Sequence, residues 1–252
     1  IAVSESIAFS ELDSTRFGIR AARARITSET LPEVLEACDA ERIDLLIARC
    51  STDDISAMRA AEVNGFLLTD TLLYYQFDFG KRPIPSCTTE YMVRSLKPGD
   101  HDQVREVAAA AFKGYMGHYH ADPRLDQRKC DEAYESWAER SCIPGLAADQ
   151  LFVAERAGRI AGFATLRVNS SEEVEGLLFA VAPEYQRRGV CGLLMVHSLE
   201  WTRSQGARRM IISTQITNVS MQKVWCRVGF EPSHSFYTLH KWFDPAGRVR
   251  LS

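Results

Sequence analysis

A chain of 252 residues, 46% hydrophobic and 25% charged, is long enough for one large globular core or two small ones. Its formal net charge of −3 does not suggest the basic surface that a phosphate backbone draws, so no nucleic-acid partner is expected, and local basic spots such as Arg187-Arg188 are judged on their own. No apolar run approaches the roughly 18 residues of a membrane span. The seven cysteines are odd in number, and no two form C-x-x-C. That argues against a disulfide framework or a zinc site and for a reducing, cytoplasmic compartment, with no metal expected. The opening IAVSESIAFS has no basic stretch ahead of an apolar one and does not read as a signal peptide. It lacks an initiator Met, which reads as the trimming of a few residues.

In chain order, ARARI reads as a strand, and TLPEVLEAC as a helix with Leu31, Val34, Leu35 and Cys38 on one face and Thr30 as its cap. DLLIARC is a strand, followed by a helix facing Ile55, Met58 and Ala61 inward. NGF marks a turn before the strand TLLYYQFDF. The two prolines of KRPIPSCTTE make a linker, dividing the chain into residues 1–84 and 85–252. Beyond it, EYMVRSL is a strand, and Gly99 and Asp100 open a helix carrying Val104, Val107, Ala108 and Ala111. KGYMGHYHADPRLD is irregular, and the next helix aligns Cys130, Ala133, Tyr134 and Trp137. LFVAER, AG and RIAGFATLRV form strand, turn and strand. EVEGLLFAV is another strand, and APEYQRRGVCG leads into a helix over 189–205. The strand RRMIISTQI, a helix over 219–228 and the strand SFYTLHKWF complete the chain.

One internal similarity runs through this order. ISAMRAAEVNGFLLTDTLLYYQF, from Ile55, lies on VSMQKVWCRVGFEPSHSFYTLHK, from Val219, with Gly65 on Gly229 and Phe66 on Phe230. DLLIARC falls on RRMIIST at the same offset. Either this is a degenerate repeat, or it reflects the general habit of helices to end in Gly before a strand.

The turn APEYQRRGVCG places small and basic residues where a strand meets a helix. A helix N-terminus presents unpaired N–H groups and partial positive charge. Gly189 and Gly192 let a phosphate approach the backbone around Val190 and Cys191. Arg187 and Arg188 add positive potential, and Gln186 can brace the loop. The stretch reads as a pyrophosphate cradle, or as a solvated basic turn. It lacks the G-K-[ST] of a P-loop and the G-x-G-x-x-G of a dinucleotide site.

These residues resemble the acetyl-coenzyme A loop of the GNAT superfamily of N-acetyltransferases, whose pattern is Q/R-x-x-G-x-G/A. Gln186 and Gly189 match, and Cys191 stands where Gly or Ala is usual. The element order over residues 90–243 and the Asn218…Gly229-Phe230 segment are similar too. The resemblance implies an α/β fold with a mixed sheet, and acetyl-CoA as co-substrate. It also implies a V-shaped slot in which strand 177–181 splays from strand 208–216. The pantetheine arm would pair with the backbone of Phe179 and Val181, with Asn218 on its other side, and backbone N–H groups would stabilise the oxyanion. LDSTRFGIRAARARI, HYHADPRLDQRKCDEAYESWAERS and TQITN resemble the nucleotide-sugar N-acetyltransferases of the TDP-fucosamine acetyltransferase type. Those join a truncated, acetyltransferase-like N-terminal domain to a full one and acetylate an amino group on a dTDP-linked sugar.

That resemblance implies roles for single residues. Many relatives carry a Tyr seven residues after the Asn to protonate the leaving thiolate. Here Trp225 holds the position, and an indole cannot serve as that acid. Trp225 then lines the substrate or belongs to the apolar stripe Met221, Val224 and Val228. Tyr237 is a substitute acid, or an ordinary sheet tyrosine. His120 is a candidate base, with Asp122 orienting it or holding a sugar hydroxyl and His118 as the weaker alternative. Otherwise Asp122 caps a turn before Pro123 and His120 is simply exposed. Glu175 is a second candidate base, through water, or a solvated strand end. His197 is read as a core histidine. The expected partner is a small primary amine, foremost a nucleotide-linked amino sugar. An antibiotic, a protein N-terminus, or a silent acyl-CoA-binding module are the alternatives, and a homodimer is compatible with the sequence.

Overall fold

The computed structural model describes residues 7–243. The first residues of the N-terminal stretch read above, and the last of the 85–252 segment, lie outside them. The elements run β1 (Ala8–Phe9), α1 (Glu11–Phe17), β2 (Ala21–Arg25), α2 (Leu31–Ala40), β3 (Leu45–Ser51), α3 (Ile55–Val63), β4 (Leu67–Asp78), β5 (Met92–Ser95) and α4 (His101–Ala111). There follow α5 (Gln127–Ser141), β6 (Gln150–Arg156), β7 (Arg159–Ser170), β8 (Glu173–Val181), α6 (Val190–Ser204), β9 (Arg209–Gln215), α7 (Val219–Val228) and β10 (Glu231–Trp242).

The chain divides into two compact units. Among the described residues, the first comprises 7–73, 116–130 and 234–243, and the second 74–115 and 131–233. The sequence cut at 84/85 is a single one, whereas these units interleave, because each takes a final strand from the other end of the chain. In the first unit β2 and β3 run parallel, and the C-terminal part of β10 pairs antiparallel with β3, from Phe236 opposite Ser51 to Trp242 opposite Leu45. In the second unit β8 and β9 run parallel. The end of β4 lies on the far side of β9, where the Phe79 N–H donates to the Arg208 C=O at 3.1 Å.

Each unit buries its own core. Leu31, Val34 and Cys38 of α2 meet Leu46, Ala48 and Cys50 of β3, Ala57 and Ala61 of α3, and Leu239 of β10. Inward positions of α3 are thus Ala57 and Ala61, while Ile55, expected on that face, is 48% exposed. Thr30 is not the side-chain cap of α2: its Oγ1 accepts from the Thr27 N–H instead. In the second unit Val104, Val107 and Ala108 of α4 pack with Ala138 and Cys142 on Val153, Phe163 and Leu178.

The internal similarity has a structural counterpart. α3 and α7 start at the two aligned residues Ile55 and Val219, and each is capped by the residue before it. Asp54 accepts from the Ala57 N–H at 2.8 Å, and Asn218 from the Met221 N–H at 3.4 Å. The aligned strands also agree, Leu45–Ser51 with Arg209–Gln215 and Leu67–Asp78 with Glu231–Trp242.

β8 is where the second sheet opens. Against β7 its register runs from Leu166↔Gly176 to Thr165↔Leu178, so Leu177 is an extra residue, a β-bulge. A bulge bends its strand and increases its twist. Against β9 the register runs from Glu173↔Arg209 only to Gly176↔Ile212. Gly176 sits at that divergence with no room for a side chain: a Cβ there would lie 2.6 Å from Ile212 Cγ2, 2.7 Å from Phe179 Cε2 and 2.9 Å from Met210 Cε. Met210 and Ile212 are buried and have nowhere to swing. Gly176→Ala is therefore expected to cost about 1–3 kcal/mol, read as a lower urea midpoint; an unchanged midpoint would mean the crowding is not real.

Candidate functional site

Beyond Gly176, β8 is paired on one side only. The Ala182 N–H donates to the Ala161 C=O, and the Leu178 N–H donates to Thr165 Oγ1. Strand alternation therefore turns the amides of Phe179 and Val181 the other way, toward the gap left by β9. Gln186 does brace the loop, its Nε2 donating to the Val181 C=O at 3.1 Å.

The turn that follows is wound tightly. Arg187 (φ 61°) and Gly189 (φ 81°) are both left-handed, which a glycine adopts freely and an arginine does not. The first bond of α6 runs from the Leu193 N–H to the Gly189 C=O. The amides of Val190, Cys191 and Gly192 thus precede the helical ladder, and Gly189 has no side chain to cap them. A Cβ on Gly189 would lie 2.9 Å from Thr89 Cγ2, and one on Gly192 3.9 Å from Cys87 Sγ. Residues of the proline-containing linker therefore flank this turn. Arg187 and Arg188 are exposed. Burial pushes the Cys191 thiol up to about 12, so it is a neutral group packed 4.0 Å from Met221 Sδ.

On the other side of the gap, Asn218 is occupied locally: its Oδ1 caps α7 and its Nδ2 donates to Thr214 Oγ1 at 3.0 Å. Trp225 is 3% exposed, edge-on to Tyr75 with ring centroids 5.3 Å apart. Glu175 is half-buried on the paired part of β8 and accepts from Asn169 Nδ2 at 3.2 Å. Among the described residues three buried side-chain polar atoms lack a hydrogen-bond partner: Tyr91 Oη, Gln215 Oε1 and Trp225 Nε1. All belong to the second unit. Gln215 ends β9, Trp225 lies on α7, and Tyr91 faces Tyr185 just before the loop, at 6.2 Å between centroids.

His118, His120, Asp122 and Tyr237 belong to the first unit. Asp122 was expected to orient His120 or a sugar hydroxyl. Its Oδ2 instead accepts from His240 Nδ1 at 2.7 Å and Trp242 Nε1 at 2.8 Å, and its Oδ1 accepts from the Arg124 N–H at 3.0 Å, the local turn bond. His240 Nε2 lies 3.0 Å from His118 Nδ1. With Asp122 ionised, His240 carries its proton on Nδ1, its Nε2 accepts, and His118 Nδ1 donates. The histidine that Asp122 orients is thus His118, through His240. Asp122 and His240 are fully buried. Burial raises the Asp122 carboxyl, but the bonds from His240 and Trp242 outweigh it and hold the group below the usual range. His118 is pushed well below 6.5 by burial and by the neighbouring His240, Arg23, Arg49 and His120. His120 Nδ1 accepts from the Gly117 N–H at 3.4 Å. Tyr237 sits opposite Cys50 and packs on the first core. His197 is 36% exposed, less enclosed than a core histidine.

Residues 113–230 match the Acetyltransferase (GNAT) family. The chain carries a GNAT acetyltransferase domain. It is 27% identical over 146 residues to the spore coat polysaccharide biosynthesis protein SpsD of Bacillus subtilis, a match covering 58% of this chain and 49% of that protein. The chain thus spans about half the length of this curated relative. Among solved structures, the GNAT domain and the remainder of the chain align with a GCN5-related N-acetyltransferase from Sphaerobacter thermophilus. The TM-score is 0.61 and the identity 13%, over 89% of this chain and 74% of that one. A tandem GNAT protein from the clavulanic acid biosynthesis pathway aligns with a TM-score of 0.64 and 15% identity, over 91% and 77%. Both likenesses are of fold. Among the described residues of the GNAT-containing chain, no helix is long and apolar enough to cross a membrane.

The His118 environment sets a pH dependence. Its folded-state pKa lies below the unfolded value of about 6.5, so between the two the unfolded chain binds the extra proton. Stability is expected to fall as pH drops below about 6.5, by up to about 1.4 kcal/mol per pH unit from this group. His118→Gln should flatten that limb in urea titrations at pH 4–8; an identical slope in the variant would contradict the assignment.

Proposed function

We propose that the chain is an acetyl-CoA-dependent N-acetyltransferase. Its acceptor is the primary amine of a nucleotide-linked, dTDP-type amino-deoxy sugar, and the amine attacks the thioester directly. The observation that carries this reading is the one-sided tail of β8 beside an uncapped helix start. Phe179 and Val181 offer backbone groups at the spacing an amide-rich pantetheine arm would use as an added strand. The amides of Val190, Cys191 and Gly192, with Arg187 and Arg188, suit its diphosphate. The three unpartnered polar atoms fit a ligand with both hydrogen-bond donors and acceptors.

In this mechanism the slot fixes the thioester carbonyl, and backbone N–H groups stabilise the oxyanion. Glu175, on the strand that forms the slot, takes the ammonium proton through water, and His120 and Tyr237 are the further groups to test for proton transfer. The sugar acceptor draws support from the polysaccharide-biosynthesis name of the Bacillus relative. Residues 1–84 are read as a truncated acetyltransferase-like domain, supported by the matching of β3–α3–β4 with β9–α7–β10. Seven free cysteines fit a reducing, cytoplasmic setting.

The test is a thermal shift with acetyl-CoA together with free-thiol release across a panel of amines: a dTDP-amino sugar, an aminoglycoside and a peptide N-terminus. The expected outcome is a shift with acetyl-CoA and fastest thiol release with the sugar nucleotide. Gly189→Glu should weaken acetyl-CoA binding at least about tenfold. Fastest release with another amine would reassign the acceptor, and a shift without turnover would favour a silent acyl-CoA-binding module. No shift at all would overturn the reading.

A further inference from the structure

The sheet of the first unit sets two arginines side by side at its surface. Leu46, Ala48 and Cys50 of β3 face the helices α2 and α3, so alternation turns Ile47 and Arg49 to the opposite face. Partners in a ladder share a face, and two successive rows there are Arg23–Ile47–His240 and Arg25–Arg49–Thr238. Residues 118–122 cover the first row. Tyr119 Oη accepts from Arg23 Nη2 at 2.6 Å, and His118 and Asp122 are both bonded to His240. The second row is more open, with Arg25 exposed and Arg49 half-buried. Neighbouring strands lie about 4.8 Å apart, so two positive side chains rise from adjacent positions, and like charges directly opposite one another repel. Arg23 has its counter-charge in Asp13, at 2.8 Å. Asp70 of β4 attracts Arg49 and offsets part of its charge. Among the described residues no carboxylate pairs with Arg25, whose guanidinium lies over the Phe236 ring, 5.2 Å from its centroid.

A fixed acceptor stands beside this row. His118 donates its Nδ1–H to His240, so its Nε2 keeps a lone pair. Among the described residues nothing bonds to that atom, and it is not one of the enclosed polar atoms, so solvent reaches it. The two rows are two residues apart along the strands, about 7 Å. We propose, on the reading of the acceptor as a sugar nucleotide, that Arg25 and Arg49 hold its diphosphate and that His118 Nε2 accepts a hydrogen bond from the sugar. Each planar guanidinium fork takes one phosphoryl group. A diphosphate carries one negative charge for each arginine and relieves their repulsion. The lone pair on His118 meets a donor, a sugar hydroxyl or ammonium, and not a second anion.

The test is calorimetric binding of dTDP, UDP and thymidine to the 252-residue chain in excess CoA, which keeps the nucleotides off the turn at 186–192. The wild type is expected to bind a nucleoside diphosphate, and thymidine at least about tenfold more weakly. Arg25→Gln and Arg49→Gln should each weaken nucleotide binding about tenfold and leave CoA affinity unchanged. Arg25→Gln, at an exposed position, should also keep the wild-type urea midpoint. Arg203→Gln, at an exposed position of α6, should change neither affinity. Wild-type nucleotide affinity in Arg25→Gln overturns the proposal and leaves the sugar-nucleotide reading standing. A wild-type chain that binds neither dTDP nor UDP overturns both. The His118 Nε2 ¹⁵N signal should move further with a dTDP-amino sugar than with dTDP; an equal response to the two overturns the histidine contact.

Discussion

One extra residue in β8 governs the rest. Leu177 bulges out of the β7–β8 ladder at the point where pairing with β9 stops, beside a glycine that buried Ile212 and Met210 leave no space to enlarge. Had β8 stayed straight, the amides of Phe179 and Val181 would have been consumed by β9. Because it bends, a parallel pair opens into a gap whose edge carries unused backbone groups. The same strand then delivers the chain into a turn with two left-handed residues, and that turn presents the first amides of α6. A backbone-recognised, anion-bearing ligand is the chemistry such a gap suits.

Both units use a parallel pair, β2–β3 in one and β8–β9 in the other, each flanked by a strand from a distant part of the chain: β10, antiparallel to β3, in the first and the end of β4 in the second. The exchange explains why no single cut in the sequence reproduces the compact units. It also ties the final strand, with Leu239 buried in the first core, to residues nearly two hundred positions earlier. Association between so distant segments carries a loop-closure cost that short-range pairing lacks.

Where the pattern is local, the sequence carried it. The bounds of β8 and α7 agree with the stretch EVEGLLFAV and the helix over 219–228, and the APEYQRRGVCG turn was legible because glycines and a strand-to-helix change leave a mark in the sequence. α1 was overlooked although its signals are present: Ser10 accepts from the Asp13 N–H, and Gly18 closes the helix in the left-handed region. What could not be read depends on distance. His240 looked like one polar residue in a strand, yet it connects Asp122 to His118 across the first unit. Gln215 and Trp225 looked like a strand end and an apolar stripe. Only the packed structure shows that their polar atoms are buried and unpartnered.

The central claim is that the tail of β8 is an open edge which a ligand backbone completes. Residue-resolved amide hydrogen exchange with and without CoA tests it most directly. Phe179 and Val181 should exchange fast in the free chain, unlike Leu178, whose N–H is bonded to Thr165, and should become protected when CoA is added. Slow exchange at both positions in the free chain, or protection that CoA leaves unchanged, would contradict the account.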